Sequence, residues 1–183
     1  AEDLKKNNLN PFEMNIEFDC CYEDLENAYN FASINECDSI IASGGGKVLD
    51  TGKLLADSLS IPCITVPLSA STCAGWTALS NIYTKKGQFI KDVNLKSCPQ
   101  LLIYDHSLIK TAPLNTLRSG IADSLAKWYE SSITSSLNED GIVQQAIQIS
   151  RVLRDQLFID GVAAYSRQCE DNISWSNVID ANG

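Results

Sequence analysis

The chain has 183 residues, 44% of them hydrophobic, which suits one substantial domain or one domain with part of a second and excludes a disordered segment. Its 23 acidic and 14 basic side chains leave a formal charge of −9, which argues against nucleic acid or an anionic membrane as the main partner. The opening residues Ala1–Asn8 lack the apolar stretch of a signal peptide, no run approaches a membrane span, and the seven cysteines show no C-x-x-C pair, so a reducing, cytoplasmic setting is expected.

Residues 1–12 are polar and end in Asn10-Pro11, which predicts a loop. Met14, Ile16 and Phe18 alternate with polar neighbours and predict a strand. Leu25, Ala28, Tyr29 and Ala32 recur at helical spacing and predict a helix with one buried face. Ser39–Ala42 is a short apolar run, Gly44-Gly45-Gly46 follows closely, and Val48, Leu49, Gly52, Leu55, Ala56 and Leu59 keep helical spacing until Ile61-Pro62. Cys63–Val66 predicts another short strand, closed by Pro67. The β-α-β-α-β order implies a parallel sheet with helices on its faces and its loops on one rim, where open α/β sheets bind ligands. Ser80–Thr84 and Gln88–Ile90 flank Lys85-Lys86-Gly87 as a hairpin, and Leu101–Tyr104 is a further strand. Beyond Asp105 only helical spacing is found. Leu117, Ile121, Leu125 and Trp128 form one series, Ile142, Val143, Ala146, Ile149, Leu153 and Leu157 a second, and a third lies near Val178. The expected organisation is an α/β part over residues 1–105 followed by an all-helical part over residues 106–183.

Three places carry candidate chemistry. A strand, a glycine turn and a helix in direct succession present backbone N–H groups and the positive end of a helix dipole to a phosphate, with Lys47 adding a charge and Asp50 an acceptor one turn on. The spacing is neither G-x-G-x-x-G nor a Walker loop, so an ordinary glycine turn remains an open alternative. Leu68–Gly75 is small and rich in hydroxyls, suited to hydrogen bonds with phosphate or ribose oxygens, or simply to a polar loop. Asp123, Lys127 and Glu130 share a helical stripe, either as a solvated ion-pair face or with Asp123 as an inward carboxylate for a metal or substrate. The single histidine, His106, cannot build a multi-histidine metal site.

Gly44–Lys53 resembles the G-G-G-K-x-x-D-x-x-K segment of the iron-containing alcohol dehydrogenases, most closely the glycerol dehydrogenase branch. Pro67–Tyr83 resembles that branch's hydroxyl-rich loop and hairpin, and Leu117–Glu130 its metal-binding aspartate helix. The resemblance implies a Rossmann-like nucleotide-binding domain followed by the start of an all-helical domain. It further implies a metal-dependent, NAD- or NADP-linked oxidoreductase acting on the CH–OH group of a small polyol, alcohol or hydroxy acid. By resemblance, Gly45, Gly46, Lys47 and Asp50 cradle the cofactor's pyrophosphate, and Ser69, Ala70, Ser71, Thr77, Leu79 and Tyr83 contact the cofactor elsewhere. Asp123 matches the aspartate that, with two histidines, holds a Zn or Fe divalent ion able to polarise the substrate oxygen.

Two departures from the family pattern follow. Cys73, expected to face substrate, stands where glycerol dehydrogenases usually carry a polyol-binding aspartate, which favours a hydroxycarboxylate or 2-oxo acid substrate as an alternative. The two histidine positions fall beyond Gly183 and the family's first βα unit before Ala1, so the chain is expected to be partial and incomplete for catalysis, with the other metal ligands outside it. The expected partners are a small-molecule substrate and, in the intact protein, further copies of the chain. The remaining alternatives are a dehydroquinate synthase-like cyclase on the same fold and a non-catalytic nucleotide-binding module.

Overall fold

The computed structural model describes residues 2–166 and 173–182. Two compact units are formed, and neither is a continuous stretch of chain. The first comprises residues 1–43, 47–66 and 76–103; the second comprises residues 44–46, 67–75 and 104–183.

The first unit opens with α1 (Glu2–Lys6), a short helix where a loop was expected. Residues 11–17 then run without regular structure, and the strand expected over Met14–Phe18 does not form. Alternation supplies one apolar face, but a strand also needs a hydrogen-bonded neighbour. The sheet order ends at β1 instead, and Phe12, Met14 and Phe18 stay largely exposed. Helix α2 (Tyr22–Ile34) is entered from an extended Cys21, and buried Asp24 accepts the Phe18 N–H at 2.9 Å just ahead of it. Ala28 and Ala32 form its buried face, whereas Tyr29, expected on that face, is exposed.

Strand β1 (Ile40–Gly44) leads into α3 (Gly46–Leu59), which begins inside the glycine turn and buries every residue from Leu49 to Ala56. Such continuous burial follows from packing on two sides. Leu54 joins Cys20 and Ile82 in one apolar cluster, and Leu55 joins Ala28 and Ala32 in another. Ser60, at φ +57°, ends the helix in a left-handed turn, with the Ile61 N–H bonding back to the Ala56 carbonyl at 3.0 Å. Strand β2 (Cys63–Pro67) and β5 (Leu101–Leu102) complete a three-stranded sheet in the order β1-β2-β5, with Thr65 opposite Leu102 in a parallel pair. The expected hairpin is present as β3 (Leu79–Tyr83) and β4 (Phe89–Asn94), joined through Gly87 at φ +75°.

The second unit is helical. Asp105 caps α4 (His106–Ile109) through the Ser107 N–H at 2.8 Å, and α5 (Leu114–Thr134), α6 (Gly141–Ser166) and α7 (Ile173–Asn182) follow. Their shared core contains Ile109, Leu117, Leu157, Ala164, Val178 and Ile179, and it also takes in Ala70 from the loop after β2. Asn177 on α7 donates to the Asp160 carboxylate on α6 at 2.9 Å. The apolar stripe expected along α6 is only partly buried: Leu157 is in the core, whereas Ile142 and Ile149 are exposed. None of the described helices is long and apolar enough to cross a membrane.

Candidate functional site

Within the second unit, the glycine turn and the hydroxyl-rich loop meet directly. The Leu68 N–H donates to the Gly44 carbonyl at 3.0 Å. A Cβ on Gly46 would lie 3.1 Å from Thr72 Cγ2, so a side chain there would crowd the Thr72 methyl, whereas a Cβ on Gly45 would meet nothing within 4 Å. Neither glycine has a positive φ. Gly46 serves close approach and Gly45 leaves open room beside it, and neither is needed for backbone freedom. Ser69 and Ser71 share a hydroxyl–hydroxyl bond of 2.9 Å, and Thr72 Oγ1 accepts the Ala74 N–H at 3.1 Å. Ala70 points the other way: its side chain is 1% exposed and belongs to the helical core.

The same unit holds Cys73 and Asp123. Asp123 pairs with Lys127 at 3.3 Å, and Glu130 lies 3.6 Å from the same ammonium. Burial pulls the Lys127 pKa down, but attraction to Asp123, Glu130 and Cys73 outweighs it and holds the group above its usual range. Exposed Cys73 is therefore within electrostatic reach of the Asp123–Lys127 pair. The described residues contain no group of three or more His, Cys, Asp or Glu side chains able to hold a metal ion. His106 instead pairs with Asp180 at 2.8 Å. The described residues alone thus do not complete a metal site.

In the first unit, Lys53 is the hub. The residue is 2% exposed, and its ammonium lies 3.0 Å from the Asp50 carboxylate. It donates to the Thr77 carbonyl and hydroxyl, each at 3.2 Å, and to the Leu79 carbonyl at 2.6 Å. Asp50 also accepts the Asn81 N–H at 3.3 Å. Burial pushes the Asp50 carboxyl upward, and the Lys53 charge opposes that shift. Asp50, Thr77 and Leu79 therefore tie α3 to the start of the hairpin.

Lys47 behaves differently, because its side chain is 64% exposed while its ammonium lies 2.8 Å from buried Asp19. Tyr83 stacks edge-on against Phe89, and its hydroxyl pKa is raised by burial first and then by Asp50 and Asp19. Asp19 is the polar residue that reading the sequence missed. It lies 28 positions before Lys47 in a stretch without a motif, so no local signal pointed to it.

An uncharacterised oxidoreductase of Synechocystis sp. is 43% identical over 164 residues, covering 90% of this chain and 42% of that protein. Hydroxycarboxylate dehydrogenase A of Escherichia coli is 35% identical over 146 residues, covering 78% of this chain and 40% of that protein. The crystal structure of glycerol dehydrogenase from Schizosaccharomyces pombe superposes with a TM-score of 0.83 at 30% identity, covering 99% of this chain and 48% of that one. The chain thus spans less than half the length of each of these relatives. Residues 1–106 match the family described as iron-containing alcohol dehydrogenase. That match spans more than half of the chain, and the chain belongs to the iron-containing alcohol dehydrogenase family.

Proposed function

We propose that this chain is the nucleotide-binding part, with the beginning of the helical part, of a metal-dependent NAD(P)-linked oxidoreductase acting on the CH–OH group of a small polyol, alcohol or hydroxy acid. The observation that carries the reading is the glycine turn: open space beside Gly45, with Gly46 pressed against Thr72 at the head of α3. A pyrophosphate fits such a turn, because no Cβ blocks the N–H groups and the helix dipole favours an anion.

A bound nicotinamide cofactor supplies the hydride acceptor or donor. The chain's own residues then have separate tasks. Gly45 and Gly46 offer N–H groups. Ser69 and Ser71, whose hydroxyls are already paired with each other, can turn a proton toward a phosphate or ribose oxygen. Lys47 supplies an exposed positive charge. Asp50, Thr77 and Leu79 act indirectly, by fixing α3 through Lys53. Asp123 would give one carboxylate to a Zn or Fe ion. A cytoplasmic setting and a homo-oligomeric intact protein complete the reading.

A second reading of the substrate rests on Cys73. With a thiol rather than a polyol-binding carboxylate at position 73, an anionic substrate such as a hydroxycarboxylate or 2-oxo acid meets no repulsion from that side chain. The hydroxycarboxylate dehydrogenase among the relatives is in keeping with that choice.

The test is calorimetric titration with NAD(H) and NADP(H). Binding of at least one is expected, weakened by Lys47→Ala. Absence of heat and of thermal shift with all of them would overturn the cofactor reading. An unchanged affinity in Lys47→Ala would remove Lys47 from it.

A further inference from the structure

Two lysines stand on the first three turns of α3, which suggests a strongly cationic corner. The ion pairs say otherwise. Lys53 is matched by Asp50 at 3.0 Å and Lys47 by Asp19 at 2.8 Å. Each positive charge therefore has a carboxylate in contact with it, and the corner carries no surplus from these four groups. Asp19 is firmly held. It is 5% exposed, and its Oδ1 accepts the Cys20 N–H at 2.9 Å, leaving Oδ2 for Lys47. Lys47 is the exposed member, reaching back from the solvent side.

We propose that Asp19 is a specificity-determining residue that limits the affinity of this corner for phosphate-bearing ligands by holding Lys47 and by repelling their negative charge. This rests on the reading of Lys47 as a cofactor contact. A phosphate that engages Lys47 must either draw the ammonium from Asp19 or sit close to a second anion. Both cost affinity. A buried carboxylate cannot turn away into solvent to relieve the repulsion, as an exposed one could. Asp19 is also within electrostatic reach of the Tyr83 hydroxyl, so its charge is felt across the face that Tyr83 shares. A hydroxyl-bearing neighbour such as a ribose could instead donate to Asp19. The arrangement therefore favours ligands that bring a donor along with their phosphates over bare phosphate or pyrophosphate.

The test is a double-mutant cycle read by calorimetry with NADH and with inorganic pyrophosphate as probes. Asp19→Asn keeps an oxygen for the Cys20 N–H while removing the charge. It is expected to tighten both probes roughly two- to fivefold, pyrophosphate more than NADH, in line with the strength of a part-exposed ion pair. In a Lys47→Ala background the same change should have a markedly smaller effect. Asp19→Ser, which also keeps an oxygen, replaces Asp19→Asn if that variant fails to fold. If the parent protein binds the probes and the Asp19 variants bind no tighter, the inference falls while the cofactor reading stands. If the parent binds neither probe, both fall.

Discussion

Gly52 of α3 faces Ala42 of β1 so closely that a Cβ on the glycine would lie 2.4 Å from the alanine Cβ. Real methyl groups do not approach to that distance, so helix and strand can pack this way only because position 52 has no side chain. Gly52→Ala should therefore force α3 away from β1 and cost about 1–3 kcal/mol, an overpacking penalty larger than alanine's helix-propensity gain of about 1 kcal/mol. Urea denaturation reads this directly. A variant as stable as the parent would mean that the contact relaxes freely.

Lys53 lies under a buried carboxylate and should be among the least replaceable residues of the first unit. Lys53→Met keeps the stem but leaves the Asp50 charge without its ion-pair partner, a loss of about 3–5 kcal/mol for a broken buried pair. The pH dependence has a definite sign. Burial raises the folded pKa of Asp50 above its ordinary 3.8, so the stability linked to it is full below that value and lost as pH rises through the folded pKa. Without Lys53 to oppose burial, that loss becomes larger. The variant should thus be penalised less in acid than at neutral pH, as followed by chemical denaturation across pH. An equal penalty at both would show that Lys53 acts through the Thr77 and Leu79 carbonyls alone.

In the second unit, the Tyr104 hydroxyl donates to the Ile179 carbonyl of α7 at 3.2 Å. Burial, with Asp180 adding to it, pushes this hydroxyl from 10 up to about 12. A raised folded pKa means that the stability is intact below pH 10 and lost as pH rises through about 12. Tyr104→Phe should cost about 1 kcal/mol at neutral pH, the worth of one hydrogen bond. It should also flatten the alkaline loss. Thermal melts over that range check both, and an unchanged alkaline slope would assign the loss to another group.

Reading the sequence located α3, β2, the hairpin and the long helices because each carries its own period or punctuation. The hairpin was marked by Lys85-Lys86-Gly87, and Gly87 does take the positive φ. Met14–Phe18 misled because alternation describes one chain, whereas a strand is a relation between two. Tyr29 and Ile149 were placed on buried faces by spacing that cannot say how wide the covering surface is. At the candidate site, the glycine turn and its neighbouring loop were legible as small, hydroxyl-rich stretches. The commitments of the charged groups were not. That Asp50 answers to Lys53, and Lys47 to Asp19, depends on distances between elements, on which local pattern is silent.

Ala70 has a consequence for how this protein can be divided. It leaves the α/β sheet on the loop after β2 and ends 1% exposed among Ile109, Leu117 and Val178. A piece beginning at Tyr104 would carry the long helices but leave a gap where that methyl group belongs. It would also lose the rest of residues 67–75 and the glycine turn, which the second unit borrows from the first half of the chain. The backbone therefore passes several times from one unit to the other. A gene cut at any single codon would deprive one unit of parts that the other fragment carries.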